Sequence, residues 1–246
     1  MNNKSTLKGF ALFVAVCGLL GVFSCKKENP GLTLDYKYNY YPLDSGHYII
    51  YDVDSIHYSY NQGFFIRDTI RYQWMAIVTD TFYDNLGELS YKIEHLRRAD
   101  SSAPWVYDRV WYATRSTTNL VAQEDDIRFI KLVFPPAAGE SWNGNAYVAT
   151  SPSDQYAVYQ NWNYFYENTD TTLTLNGETY NNAMVVSEVD NSNAISNVVR
   201  SEVYAPNVGM IYQRWDDMAT VYPTSNWDTA ATSGFRVIMK AWSHYP

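Results

Sequence analysis

Alternation decides what this chain can fold into. From His47 to Ile56, the side chains of His47, Ile49, Tyr51 and Val53 point one way, and those of Tyr48, Ile50, Asp52 and Asp54 point the other. A period of two with β-branched and aromatic residues reads as a strand with one face buried. The pattern recurs. Gln62-Gly63 turns the chain into a strand over Phe64 to Thr81, and Asn85-Leu86-Gly87 turns it into Leu89 to Arg97. Trp105 to Thr114 and Ile127 to Phe134 are further strands, the latter stopped by Pro135-Pro136, which cannot donate to a ladder. Asn176-Gly177, flanked by Thr172-Leu173-Thr174-Leu175 and Thr179-Tyr180, predicts a tight hairpin. Ala183 to Val189, Val198 to Tyr204, Gly209 to Trp215 and Phe235 to Trp242 complete the series.

No stretch sustains an i, i+3, i+4 apolar pattern with caps. Tyr156 to Tyr166 suits a helical turn or two as well as it suits a strand. The expected fold is mainly β: a single antiparallel β domain, formed as an open barrel or strongly curved sheet, with at most one or two short helices. Neither a fixed-length repeat nor a strand-helix alternation is present.

The start of the chain is of another kind. Lys4 and Lys8 precede an apolar run from Gly9 to Phe23, then Ser24 and Cys25. A basic segment, an apolar core and a small residue before cysteine resemble a bacterial lipoprotein signal peptide. The run of about 15 residues is short of the ~20 needed for a permanent membrane helix. The expected organisation is a removed signal peptide over 1–24, a lipidated tether over 25–31 anchored at Cys25, and the β domain over 32–246.

Cleavage would leave 222 residues, enough for one core, with 16 basic against 26 acidic groups, a balance of −10. So acidic a chain is a poor partner for nucleic acid, whose phosphates need lysine and arginine, or for an anionic membrane surface. Its membrane partner would be reached through the acyl chains on Cys25. Cys17 leaves with the signal peptide and Cys25 is modified, so the domain has no thiol for disulfides, thiolate metal sites or nucleophilic catalysis.

Several segments resemble a group of uncharacterised secreted lipoproteins of Bacteroidetes-type bacteria: Tyr41 through Tyr48, Tyr91 through Glu94, Trp105 through Trp111, Ile127 through Pro135, Gly139 through Gly144, and Tyr204 through Gly209. These motifs are structural punctuation, and the resemblance implies a compartment rather than an activity. The turn Ala205-Pro206-Asn207-Val208-Gly209 is also similar to half-open β-barrel lipoprotein carriers of the LolA type. Four Asp-Ser/Thr pairs resemble the O-glycosylation sequon of this bacterial group, and composition alone would give about one. They imply modification at Ser55, Thr69, Thr171 and Thr229. The alternative is that such pairs simply favour turns.

Chemistry-bearing patterns are sparse. His47, His57, His95 and His244 show no metal-binding spacing, and neither a Gly-x-Ser-x-Gly elbow nor a phosphate loop occurs. No catalytic residue, metal site or cofactor is therefore expected. Glu124-Asp125-Asp126 reads as a solvated acidic turn. The candidate ligand contacts are rings, namely Tyr156, Tyr159, Trp162, Tyr164 and Tyr166, interleaved with Asn161 and Asn163. Flat rings beside amides suit sugars, and the competing reading is that these rings fill the core.

The functional expectation is a non-catalytic, lipid-anchored module of the outer membrane. It would bind a glycan or a protein partner in an envelope complex. A carrier of an apolar or acyl ligand in a half-open barrel is the alternative, and a glycoside hydrolase with an unrecognised carboxylate pair is the second.

Overall fold

The computed structural model describes residues 35–151 and 155–245. The signal peptide, Cys25 and the tether lie outside the described residues. Twelve strands follow: β1 (Tyr48–Asn61), β2 (Phe64–Tyr83), β3 (Leu89–Arg98), β4 (Val106–Arg115), β5 (Asn119–Glu124), β6 (Ile127–Val133), β7 (Ser141–Trp142), β8 (Tyr164–Leu175), β9 (Glu178–Ser192), β10 (Ser196–Ala205), β11 (Gly209–Ala219) and β12 (Ser233–Tyr245). They form one antiparallel sheet in the order β6-β5-β4-β3-β2-β1-β12-β11-β10-β9-β8-β7. Each strand pairs with its neighbour in sequence except β6 with β7, which are the two edges, and β1 pairs with β12 (Tyr48 opposite Tyr245, Ser59 opposite Ser233). The result is an up-and-down meander whose first and last strands meet in mid-sheet.

The two sheet edges, β6 and β7, come together and nearly close a barrel. The seam is held by single bonds, not a ladder. Ile130 N–H donates to the Gly144 carbonyl at 2.8 Å. The Trp142 indole N–H donates to the Ile130 carbonyl at 2.7 Å. The Tyr166 hydroxyl accepts from Val133 N–H at 3.0 Å and donates to its carbonyl at 2.7 Å. Side chains thus satisfy edge groups that would otherwise invite another strand.

The interior is filled with rings and branched side chains. Tyr164, Tyr166, Leu120, Leu132, Met184 and Val186 are fully buried, with Trp162, Phe134 and Tyr204 against them. Each such side chain stabilises the fold by roughly 1.5–3 kcal/mol. Packing is tight enough at the seam to require glycine: a Cβ on Gly144 would meet the Tyr164 ring at 2.5 Å.

The strand expectations hold closely, including the hairpin at Asn176-Gly177, both at positive φ (51° and 88°). Among the described residues, helix is confined to two 3-10 turns (Tyr38–Tyr40 and Ala157–Tyr159) and one turn of α-helix, Trp227–Ala230. Two strands were not anticipated. In β5, Leu120, Val121 and Ala122 are all buried, so alternation fails, and β7 has only two residues.

Candidate functional site

The inward rows of four strands carry charge where alternation calls for hydrocarbon. On β9 the row runs Met184, Val186, Glu188, and on β10 it runs Arg200, Glu202, Tyr204, none more than 3% exposed. On β6, Lys131 follows Phe129 in the same row, and Glu124 ends β5. A bulge helps aim Glu188. The β9–β10 register passes from Val189 opposite Arg200 to Ser187 opposite Ser201, leaving Glu188 as the extra residue.

These five side chains form one network across the seam. The Lys131 ammonium lies 2.6 Å from Glu188, 2.6 Å from Glu202 and 3.5 Å from Glu124. The Arg200 guanidinium lies 3.2 Å from Glu124, 2.9 Å from Glu188 and 3.5 Å from Glu202. The 2.9 Å contact joins Arg200 Nε to Glu188 Oε2, yet neither atom makes an aligned hydrogen bond, so it is an ion contact only. Glu202 also accepts from Gln213 at 3.3 Å and from the Tyr204 hydroxyl at 2.5 Å.

Three carboxylates therefore face two cations with almost no water to share the charge. Burial, countered by Arg200 and reinforced by the Glu202 charge, pushes the Glu188 carboxyl up to about 7. Burial would raise Glu124 too, but Lys131 and Arg200 hold it below the ordinary range. For Lys131 and Arg200 burial opposes the charge, and the surrounding carboxylates overcome it and raise both.

Beside the network lies a cavity of about 90 Å³. Glu124, Lys131, Glu202 and Gln213 border its polar side, and Tyr51, Trp74, His95 and Trp111 contribute rings. His95 is 2% exposed and stacks on Trp74 with centroids 4.1 Å apart, with Trp111 at 4.4 Å. Its Nδ1 has no partner in the protein, and burial drives its pKa down to about 3. His47, also on the cavity wall, contacts the Val208 carbonyl through Nε2 at 2.9 Å. A carbonyl only accepts, so Nε2 carries the hydrogen and Nδ1, buried and unpartnered, is a bare acceptor. Burial lowers the His47 pKa as well.

The residues singled out from sequence lie elsewhere. Tyr164 and Tyr166 are fully buried and Trp162 is 6% exposed. Their rings belong to the core, where they pack against one another and their neighbours. Tyr164 spends its hydroxyl on Asn145 at 3.2 Å. Tyr156 and Tyr159 are half-buried around a 3-10 turn, Tyr159 lying 5.4 Å from the Phe129 ring and 5.0 Å from that of Trp162. Of the candidate modification residues, Thr69 and Thr229 are exposed, whereas Ser55 and Thr171 are half-buried. The acidic turn is corrected: Asp125 and Asp126 form it, but Glu124 turns inward. Among the described residues, no group of three His, Cys, Asp or Glu side chains is placed to hold a metal ion.

A second buried carboxylate stands on the other side of β10. Asp216 on β11 is fully buried and accepts from Arg236 at 2.8 and 2.9 Å, from Arg214 at 2.6 and 3.1 Å, and from Asn197 at 3.1 Å. Despite burial, these donors hold its pKa below the ordinary value.

No protein-family model matches the chain, and no curated protein does. Among solved structures it is similar to one described as a lipoprotein from Parabacteroides distasonis ATCC 8503, at 9% identity and a TM-score of 0.42, over 84% of this chain and 98% of that one. It is also similar to an exported protein with a YmcC-like fold from Bacteroides fragilis NCTC 9343, at 10% identity and a TM-score of 0.39, over the same shares.

Proposed function

We propose that the protein is a non-catalytic binding module, moored to the outer membrane through a lipidated Cys25 and serving a glycan or protein partner of the envelope. The observation that carries the binding half is the cavity, which at about 90 Å³ would take one small terminal group of such a partner and whose wall holds two imidazoles with buried, unpartnered ring nitrogens beside ion-paired carboxylates. Binding is favoured over hydrolysis because Glu188, the carboxyl with a raised pKa, is sealed behind Lys131 and Arg200 and does not border the cavity. Glu124 and Glu202, which do, are already paired with those cations. An acyl carrier needs roughly 300–1,000 Å³, and about 90 Å³ falls far short. Membrane attachment rests on the order of residues from Lys4 to Cys25.

The test is made in the native host. Labelled palmitate should enter the wild-type protein and not Cys25→Ser, and capture from solubilised envelope should retain a defined glycan or protein. Label-free protein, or capture of nothing together with a blank glycan array, would contradict the reading.

A further inference from the structure

The charge count and the cavity meet at one place. Lys131 and Arg200 supply two positive charges, while Glu124, Glu188 and Glu202 supply up to three negative ones, and no side chain of the five is more than 15% exposed. Two of the three carboxylates, Glu124 and Glu202, border the cavity. We propose that this cavity binds a small monocationic amine, its ammonium facing Glu124 and Glu202 and its short carbon body lying among Tyr51, Trp74 and Trp111. The inference rests on the reading that the protein binds rather than transforms what it holds.

Four features support an amine over a neutral or anionic ligand. One positive charge would cancel the surplus of the buried network, whereas an anion would double it. Lys131 already spends two donors on Glu188 and Glu202 and lies 3.5 Å from Glu124, so the lysine offers little to an anion. Unused capacity on the wall is in acceptors: carboxylate lone pairs, and Nδ1 of His47. Both histidines are held neutral by burial, so neither repels a cation.

Size narrows the class. Liquid water occupies roughly 30 Å³ per molecule, so about 90 Å³ suits some three to six non-hydrogen atoms. Ethylammonium and ethanolammonium fit, whereas a hexose does not.

Binding should also displace a proton. Glu188 faces Lys131 from β6, Arg200 and Glu202 from β10, and Tyr164 from β8, with Glu124 of β5 paired to the same two cations. A ligand cation that favours ionised Glu188 competes with the proton there, so affinity should fall about tenfold from pH 8 to pH 6.

The experiment is calorimetry and thermal unfolding of the residue 25–246 chain, with ethylammonium and ethanolammonium chloride as probes. Ethanol, ethylene glycol and acetate serve as size-matched controls. The amines should bind at least tenfold more tightly than ethanol or ethylene glycol, and acetate should not bind. Glu202→Gln should weaken the amines at least tenfold, and Glu124→Gln serves equally should the first variant fail to fold. If the neutral controls bind as well as the amines, the amine assignment is overturned while the cavity remains a binding site. If nothing binds at 100 mM, the cavity assignment falls too, and only capture by the outer surface is left to the module.

Discussion

Two carboxylate-guanidinium networks sit on either side of β10, and their difference is instructive. In the cavity network three carboxylates share two cations, and every member is nearly sealed. Around Asp216 the ratio is reversed: one buried carboxylate has two arginines, of which Arg214 keeps 39% of its side chain in water and Arg236 reaches the exposed Asp228. Surplus charge that touches solvent costs little, whereas sealed surplus must be neutralised by a proton or a counter-ion. Hence Asp216 is pushed down and Glu188 is pushed up. The Asp216 arrangement is a fastening, and the Glu188 arrangement is an unfinished charge balance beside a cavity.

The largest effect should come from Lys131→Met. It leaves three glutamates against Arg200 alone, and removing one partner from a buried ionic network typically costs about 3–5 kcal/mol. Urea unfolding at pH 7 measures it, and a loss under ~1 kcal/mol would mean the network is far wetter than its burial implies.

Next comes the pH dependence, in which the two networks act with opposite sign. The folded pKa of Glu188 is raised, so its contribution is fully present below the unfolded value of about 4.3 and is lost as pH rises through about 7. The folded pKa of Asp216 is depressed, so its contribution is present above about 3.9 and is lost as pH falls through its lowered value. Stability should therefore decline between pH 5 and 8 by up to about 3 kcal/mol from Glu188. Glu188→Gln, which fixes that position as neutral, should flatten this slope while leaving the acid limb intact. A slope unchanged in the variant would assign the pH dependence elsewhere.

Asp216→Asn should cost less, about 2 kcal/mol, because the arginines it abandons can turn to water or to Asp228. The variant should also remove part of the acid limb. Smallest of all is Arg71→Ala: its pair with Asp54 at 2.9 Å is exposed, and its loss should change stability by no more than ~0.5 kcal/mol. If this pair proved worth as much as Asp216, burial would not be what separates the networks.

Much of this architecture was legible in the sequence, and the reason is local. Period two is set by the pleat, so Tyr48–Asn61 and Ser196–Ala205 declare themselves without tertiary information. Asn176-Gly177 encodes its own turn. Strand β5 hid because both its faces are covered, and closure hid because it depends on Trp142 and Tyr166 reaching across a seam that no local pattern records. The site was missed for a different reason. The ring-rich segment Tyr156 to Tyr166 drew attention by density, yet density of rings also makes a core. The usable signal was quieter: Glu188, Arg200, Glu202 and Lys131 each occupy the inward parity of an otherwise apolar row, with opposite signs on different strands. Parity could have nominated them, although only the fold shows that their rows face one another.

One proton held on Glu188 inside the barrel near neutral pH links the buried network to the cavity. Carbon-13 NMR of side-chain-labelled glutamate, with Glu188→Gln to assign the resonance, follows that carboxyl through a pH titration. A midpoint near 7 is expected, moving downward when ethylammonium is added. A midpoint at the ordinary carboxylate value, about 4.3, with or without the amine, would mean that the network holds no proton at neutral pH and carries its surplus charge without needing a cation in the cavity.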